Sequence, residues 1–461
     1  MSHTTDQFTL EANRLFNDEI RSLWESAGNV WRTACALDTF LDYFDICEVD
    51  PAPYETAAID ALDPTQKGNW WDDFGWIGIA ALRTAERNTF PQRQADFLKI
   101  AINAWAYMYG PGWSHGNPTV YPFMDLGLEG WQKFAKEHPS NLGAPNVWKS
   151  ITQTWPDVNN QQKADRQPRY APGGVWNAPI VDASAPIPAP TYQHSLGYVS
   201  PIQNTVTNAV FTILSLRIYQ ASKIPAFSSV FAESTLDTAA CLQAWKDQIA
   251  WFESWLLKTA APDQSLLLKT GTGSLVRERA ATFASLWDAA YDSNWIWTGD
   301  QGILLGVLRE GAEASYVKSA VFGLYPDIVG GVFGNGYLPR TYGGTISGSF
   351  LLPWMFLDAP NRYDTESPAG DVVDYQTGTG VFMRYLLQAY KADPTILQPG
   401  YKDKILKSAN DIVQTGFGTK PNHPGNCDAY TPTAADTPDA DQMTAYINRL
   451  AELLLAIQIS D

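Results

Sequence analysis

The chain has 461 residues, of which 45% are hydrophobic and 18% are charged, and its formal net charge at pH 7 is -17. This composition is typical of a folded globular protein and excludes a largely disordered chain. The low count of 32 Lys and Arg residues argues against nucleic acid as a partner, because phosphate backbones are bound by basic surfaces, and equally against an anionic membrane surface.

The N-terminus lacks a basic segment followed by an apolar run, so the sequence predicts no signal peptide. No apolar stretch approaches the roughly 20 residues that a membrane span requires, so no membrane partner is expected. A cytoplasmic protein and a secreted protein whose signal has been removed both agree with these features. The sequence does not predict an oligomeric state.

Apolar residues recur with helical periodicity along most of the chain. The predicted helices lie near residues 7–26, 31–47, 72–88, 92–109, 202–214, 242–256, 303–308, 381–389 and 443–457. Strand-like alternation is confined to short pieces, of which 266–268 and 329–333 are the clearest. The longest connection runs from about 139 to 200, and a loop of that length is expected to border a functional cleft.

These patterns predict one all-α domain over residues 1–461, because no shift in composition marks a second domain. Two architectures can use this many helices: a superhelical solenoid, or a closed double ring of inner and outer helices. Solenoids usually show a fixed repeat period. None is visible here, which favours the closed ring.

The segment 70–76, WWDDFGW, contains the strongest chemical signal in the sequence. A single Asp at a helix start would be explained by capping and by the helix dipole. Two adjacent acids, Asp72 and Asp73, within a group of Trp residues are not explained by capping alone. Indole rings together with carboxylates are instead typical of sugar-binding sites, where rings stack on apolar sugar faces and polar groups bond hydroxyls.

Cleavage of a glycosidic bond requires two carboxyl groups, one protonated and one ionised. In retaining enzymes these groups lie about 5–5.5 Å apart. Neighbouring residues on a helix project about 100° apart, so Asp72 and Asp73 can flank one bond at the shorter separation. Repulsion between their charges would help one of them to keep its proton. The pair therefore indicates a glycoside hydrolase.

Four other segments bring glycines, amides and aromatic residues together at or near predicted helix starts. They are 173–176 (GGVW), 203–211 (QNTVTNAVF), 298–306 (TGDQGILLG) and 378–384 (GTGVFMR). The amides of Asn204, Asn208 and Gln301 can bond sugar hydroxyls, although amides at helix starts often serve only as caps. Three indoles can stack on sugars or pack in the core, and Asp300 is a candidate third acid of the cleft; the indoles belong to Trp71, Trp176 and Trp297.

Together with WWDDFGW, these segments resemble glycoside hydrolase family 76, the endo-α-1,6-mannanase family, in the family's own order. WWDDFGW is similar to its Tyr-Asp-Asp-x-x-Trp motif, and GGVW matches its Gly-Gly-x-Trp element. The other three are similar to its Asn-x-x-x-Thr-Asn-Glu-Leu-Phe, Tyr-Asn-Gln-Gly-x-x-x-Gly and Phe-Lys-Gly-Ile-Phe-x-Arg stretches. The resemblance implies an (α/α)6 barrel and a retaining mechanism without metal or other cofactor. It also implies that Asp72 is the nucleophile and Asp73 the general acid/base.

The sequence departs from the family pattern at three positions near the expected cleft. The family's Asn before Gln-Gly is Asp300 here, its Glu after Thr-Asn is Ala209, and its Lys before Gly-Ile-Phe is Thr379. These differences leave the Asp pair intact and bear on which polysaccharide or oligosaccharide is the substrate.

Metal and thiol chemistry have little support in the sequence. Cys35, Cys47, Cys241 and Cys427 show no CxxC spacing, and the five His residues are scattered, so no metal site is predicted. Cys35 and Cys47 can pair in an oxidising compartment, but free buried thiols are the simpler interpretation.

Three alternative functions remain open at this point. A transglycosylase would use the same acids with a sugar hydroxyl in place of water. A glycan-binding barrel without activity would not need both acids. A sugar isomerase or epimerase on the same type of barrel would use catalytic His residues, and His occurs in none of the segments above.

Overall fold

The computed structural model describes residues 2–26, 30–62, 71–109, 174–175, 204–257, 265–278, 295–342, 345–356, 375–415 and 438–460. The α-helices in this part of the chain are α1 Ser2–Arg14, α2 Arg21–Ser26, α3 Val30–Ile46, α4 Glu55–Asp60, α5 Trp71–Glu86, α6 Gln94–Tyr107, α7 Thr205–Ala221, α8 Ser228–Glu233, α9 Thr238–Leu256, α10 Thr298–Ala314, α11 Tyr325–Asn335, α12 Gly378–Ala392, α13 Pro399–Thr415 and α14 Pro438–Ser460. A π-helical turn, Leu15–Ile20, joins α1 to α2, and short 3-10 helices lie at Ala52–Tyr54, Pro91–Arg93, Pro225–Phe227, Ala320–Leu324 and Pro394–Ile396.

The strands are short and pair only as two-stranded antiparallel sheets within the described ranges. They are β1 Leu267–Lys269, β2 Ser274–Val276, β3 Trp295–Trp297, β4 Tyr337–Tyr342, β5 Thr345–Leu351 and β6 Trp354–Phe356. β1 pairs with β2, β3 with β6, and β4 with β5. The fold is therefore all-α, with small sheets in its connections.

Six helices form a closed inner ring. In order around the ring they are α3, α5, α7, α10, α12 and α14, and α14 packs against α3 to close it. Helices α1, α6, α9, α11 and α13 pack against this ring from outside, and Thr33 of α3 donates a hydrogen bond to Ala61 just after α4. The double ring is the (α/α)6 barrel expected from the sequence.

Neighbouring inner helices run parallel and approach closely at glycines. A Cβ at Gly75 or Gly78 of α5 would collide with Val210 or Leu214 of α7, respectively. Across the next pair, Gly306 of α10 faces Ile213 of α7. The two contacts between α5 and α7 advance in the same direction along both helices. The ion pair between Arg217 and Glu310 lies further along both α7 and α10 than the contact at Gly306. The N-terminal ends of α5, α7 and α10 therefore lie at the same end of the barrel.

Most predicted helices are confirmed, with boundaries that differ by a few residues. The prediction over 7–26 corresponds to α1, the π-helical turn and α2, and the prediction over 31–47 corresponds to α3. The predicted strand at 266–268 is β1, displaced by one residue. No helix in the described ranges is long and apolar enough to cross a membrane.

The strand predicted at 329–333 is wrong, because these residues lie within α11. The segment alternates Val, Gly, Gly, Val and Phe over only five positions, and so short a pattern does not separate a strand from a buried helical turn. Pro326 at the start of α11 suits the first turn of a helix. Gly331 then lets the helix lie directly against the backbone of Ser274, where a Cβ would not fit.

Candidate active site

Asp72 and Asp73 lie in the first turn of α5, directly after Trp71. Asp72 is half-buried, and Asp73 is 8% exposed. The positive end of the helix dipole favours ionised carboxyl groups at this position, whereas repulsion between adjacent carboxylates opposes the ionisation of both. The start of α5 therefore brings a half-buried and a buried acid together at the positive end of a helix dipole.

A row of aromatic rings runs from the Asp pair to the surface. The Trp71 ring lies 5.8 Å from the Phe74 ring, and Phe74 stacks on Tyr107 with centroids 5.1 Å apart. Trp71 is half-buried and Phe74 is buried, while Tyr107 at the end of α6 is 42% exposed. Trp71 and Tyr107 therefore keep accessible ring surface near the start of α5, while Phe74 is packed between them.

One helical turn further along α5 lies a layer of aromatic rings and a cation. Trp76 lies 6.5 Å from Trp31 of α3, and the guanidinium of Arg384 lies 5.9 Å from the Trp76 ring. Arg384 Nε is 2.7 Å from Asp38 Oδ2, and its Nη1 donates to the Cys35 carbonyl at 2.9 Å. The charge of this arginine, which the sequence placed inside an apolar helix, is therefore balanced by a buried acid.

The Cys35 thiol is protonated at neutral pH. Burial raises the pKa of the Cys35 thiol to about 12, and the negative charge of Asp73 contributes to the increase, so Asp73 lies within electrostatic range of α3. Cys35, Cys47 and Cys241 are free thiols. No group of three or more His, Cys, Asp or Glu side chains able to hold a metal ion occurs among the described residues.

Two of the predicted sugar-binding amides hold the backbone of extended segments. Asn208 Oδ1 accepts from the Val175 amide at 2.7 Å, and its Nδ2 donates to the Val175 carbonyl at 3.1 Å and to the Asn204 carbonyl at 2.7 Å. Gln301 makes the same three bonds, with Val276 N at 2.7 Å, Val276 O at 2.7 Å and Trp297 O at 2.9 Å. We name each set an amide clamp.

Both clamps occupy the fourth position of an inner helix and are fully buried. Each side-chain amide donates both of its hydrogens to backbone carbonyls. Asn208 and Gln301 therefore have a structural role. Their predicted contact with sugar hydroxyls stays a prediction, and these hydrogen bonds do not support it.

The first residues of α7 and α10 also share a pattern of hydrogen bonds. Thr205 donates its amide to the Glu278 carbonyl at 2.7 Å and its hydroxyl to the Arg277 carbonyl at 2.6 Å. Thr298 donates its amide to the Pro353 carbonyl at 3.0 Å and its hydroxyl to the Leu352 carbonyl at 2.6 Å. Helices α7 and α10 thus each bind the segment before them through the clamp and the segment before the next inner helix through the threonine.

Three further predicted site residues, Asn204, Trp297 and Asp300, lie at or just before the starts of α7 and α10. Asn204 caps α7, with its Oδ1 accepting from the Thr207 amide at 3.3 Å. Trp297 precedes α10, is 6% exposed and donates from Nε1 to the Tyr375 carbonyl at 3.0 Å. Asp300 is fully buried in the first turn of α10, whereas Trp176 lies outside the described residues.

The structure also brings together a polar pair that the sequence did not single out. The Tyr375 hydroxyl donates to Glu278 Oε2 at 2.7 Å, and Glu278 is only 7% exposed. The pair lies beside Trp297, whose ring meets the Tyr375 ring edge-on at 6.3 Å. These residues are 97 positions apart in the chain, so no local pattern could have linked them.

No family model matches the sequence, and no curated protein matches it. Among solved structures, the chain is similar to the Lin0763 protein from Listeria innocua, with a TM-score of 0.52 and 14% identity over 99% of this chain and 97% of that chain. It is also similar to an inactive variant of the alpha-1,6-mannanase GH76A of Salegentibacter sp. HEL1_6 in complex with alpha-1,6-mannotetrose, with a TM-score of 0.49 and 14% identity over 98% of both chains. A family 76 glycoside hydrolase from a bovine Bacteroides thetaiotaomicron strain gives a TM-score of 0.46 and 12% identity over 99% of this chain and 77% of that chain. At these identities, the likeness to Lin0763 shows a shared fold and leaves the chemistry to be argued from the residues of this chain.

Proposed function

We propose that this protein is a retaining glycoside hydrolase that cleaves α-linked glycans of the mannan type at internal bonds. The observation that carries the proposal is the position of Asp72 and Asp73, adjacent in the first turn of an inner helix. They lie at the end of the ring where the starts of α5, α7 and α10 meet, beside a row of aromatic rings. The Asp-Asp motif that resembles family 76 supports the same assignment.

The reaction would proceed in two steps that use the acids differently. In the first, Asp72 attacks the anomeric carbon and forms a glycosyl ester, while Asp73 gives its proton to the departing glycosidic oxygen. In the second, Asp73, now ionised, takes a proton from water, and the water oxygen attacks the same carbon. Asp72 then leaves as a carboxylate, the anomeric configuration is retained, and both acids regain their starting states.

The aromatic row gives the substrate a surface on which to bind. Trp71 adjoins the acids, and Tyr107 continues the row to solvent. Phe74 is packed between them, so two separate accessible rings remain, and these suit a chain of sugars better than a single sugar. Asp300 and Ala209, which differ from the family pattern, are both buried. These two differences would therefore change the shape of the site without lining its surface.

Replacement of each acid by its amide tests the proposal. On an α-1,6-mannan, Asp72→Asn and Asp73→Asn should each lower the rate of reducing-end release by at least about a hundredfold, since each removes a nucleophile or a proton-transfer group. Asp18→Asn, which changes an exposed acid on the π-helical turn, is the matched control and should behave as wild type. Near-normal turnover in either active-site variant would contradict the assignment.

An activated substrate separates the two roles. An aryl α-mannoside with an acidic phenol as leaving group does not need protonation, so Asp73→Asn should still release phenol in a burst while Asp72→Asn should release none. Analysis of the product on an α-mannan and an α-glucan panel identifies the sugar. Longer products formed at high substrate concentration would indicate transfer to a sugar hydroxyl in place of water.

A further inference from the structure

A polar cavity of about 410 Å³ lies at the opposite end of the ring from the Asp pair. Its walls come from the last turns of four consecutive inner helices, α5, α7, α10 and α12. On α5, the cavity residue Glu86 follows Asp72 by fourteen positions, which is about 20 Å of helix at the usual rise per residue. The cavity is therefore separate from the candidate active site and is not used by the proposed reaction.

Basic side chains outnumber acidic ones in the wall of this cavity. The basic residues are Arg83, Arg87, Arg217, Arg309 and Lys391, and the acidic residues are Glu86, Glu310 and Glu313. Cations are favoured at helix C-terminal ends by the helix dipole, and both Arg83 and Arg87 pair with Asp42 behind the wall. Charge alone therefore does not identify a ligand. The hydrogen-bonding groups of the wall indicate which kind of ligand fits.

Two residues of the wall, Arg217 and Gln388, each have a buried donor without an acceptor among the described residues. Arg217, 7% exposed, holds Glu310 through Nε and Nη2, and Nη2 also donates to Gln388 Oε1 at 3.3 Å. Arg217 Nη1 and Gln388 Nε2 are buried and have no partner in this part of the structure. Because Gln388 Oε1 accepts from Arg217 Nη2, the amide and the guanidinium are in direct contact, and each keeps one nitrogen without an acceptor.

We propose that this cavity binds a small oxyanion of the phosphate type, held by Arg217 Nη1 and Gln388 Nε2. A guanidinium nitrogen and an adjacent amide donor match the several acceptor oxygens of such an anion. Arg309 and Lys391 add positive charge to the rest of the wall. Unsatisfied buried donors destabilise a protein, so a bound oxyanion would also stabilise the barrel at this end.

Titration of the full chain with inorganic phosphate tests the proposal by isothermal calorimetry, with chloride replaced so that ionic strength stays constant. The wild type should show saturable binding. Gln388→Met keeps the length of the side chain and removes both the donor and the Oε1 that accepts from Arg217. It should weaken binding at least about tenfold, as expected for the loss of one hydrogen bond to a charged group. Arg217→Lys, which keeps the charge but removes the fork, should weaken it as well.

Gln243→Met is the matched control, because Gln243 lies on the outer helix α9 and bonds Asp247 in an exposed pair; its affinity should equal that of the wild type. Circular dichroism of each variant verifies its fold. Absence of saturable binding in the wild type would mean that water alone satisfies the two donors. Equal affinity in the wild type and Gln388→Met would place phosphate elsewhere. Either result overturns the proposal, and neither bears on the role of the Asp pair.

Discussion

At the residue scale, the barrel interior depends on one buried acid with several cationic partners. Asp42 of α3 bonds Arg83 Nη2 at 3.1 Å and Arg87 Nη2 at 2.7 Å, and Lys391 Nζ lies 3.8 Å away. Burial alone would raise the pKa of Asp42, but the positive charges of Arg83 and Arg87 outweigh it and bring the pKa to about 2. Asp42 therefore stays ionised in the folded protein well below the pH at which a free Asp is protonated.

This shift predicts a specific loss of stability in acid. The folded pKa lies below the unfolded value, so Asp42 stabilises the fold at pH values above its unfolded pKa, and this contribution is lost as the pH falls toward the folded pKa. Between about pH 5 and pH 2 the loss from this one group should be about 2 kcal/mol. Urea unfolding across that range should show a smaller pH dependence in Asp42→Asn than in the wild type. Asp18→Asn is the control, and an unchanged slope in Asp42→Asn would contradict the role given to this acid.

At the element scale, the inner helices pack at distances that only glycine permits. A Cβ on Gly302 of α10 would meet the Phe382 backbone of α12, with 2.7 Å to the Phe382 nitrogen. Because backbone atoms cannot rotate aside as a side chain can, the two helices would have to separate. By contrast, Gly400 near the start of α13 has no atom within 4 Å of an added Cβ.

The two glycines therefore predict opposite effects of the same substitution. Gly302→Ala should lower the free energy of unfolding by about 1–3 kcal/mol, the usual result of overpacking. Gly400→Ala should leave stability unchanged or raise it by up to about 1 kcal/mol, since Ala is the better helix former. Chemical denaturation of both variants checks the pair. Equal stability of the two would show that α10 and α12 do not approach as closely as described.

The sequence predicted helices well because their apolar stripes are local, and α3 and α5 begin and end within two residues of expectation. It was wrong at 329–333, where the environment of Gly331 against Ser274 decides the conformation. The amides of Asn208 and Gln301 were correctly placed at helix starts. Their backbone partners could not be predicted, because Val175 and Val276 meet them only after the ring has closed.

The candidate site likewise contains some residues that a local motif predicts and others that only the fold brings together. The Asp pair and Trp71 are adjacent in the chain, so a motif contains all three. Glu278 and Tyr375 lie in two different connections, and the cavity proposed to bind an oxyanion is lined by the ends of four helices. Such constellations carry no sequence signature, since each member lies in a different segment and only the ring brings them together.

At the scale of the whole molecule, the C-terminal helix completes the ring. α14 fills the position between α12 and α3, and Asn448 joins it to α12 by accepting from Gly380 N at 2.8 Å and donating to Gln376 O at 2.6 Å. Its buried face includes Leu450, Leu454 and Ile457. Without this helix, α3 and α12 would expose their apolar sides to water.

A chain that ends at residue 437 should therefore fail to form the native barrel. We expect loss of the near-ultraviolet circular dichroism signal and a shift to larger species in size-exclusion chromatography, because exposed apolar surface promotes association. A chain that ends at residue 459 removes only the edge of α14 and should match the full chain. A monomeric, cooperatively unfolding product from the shorter chain would contradict the role of α14 in closure.

The amide clamps and threonines have a consequence for how such a protein can change over evolutionary time. The segments at 175, 276–278 and 352–353 are each held at a helix start by bonds to their backbone, which do not depend on the identity of the side chains in those segments. Connections between fastened points can lengthen, shorten or exchange residues while the ring beneath keeps its geometry. Loops can therefore be replaced around an unchanged pair of acids, and relatives can diverge far in sequence while they keep the same barrel.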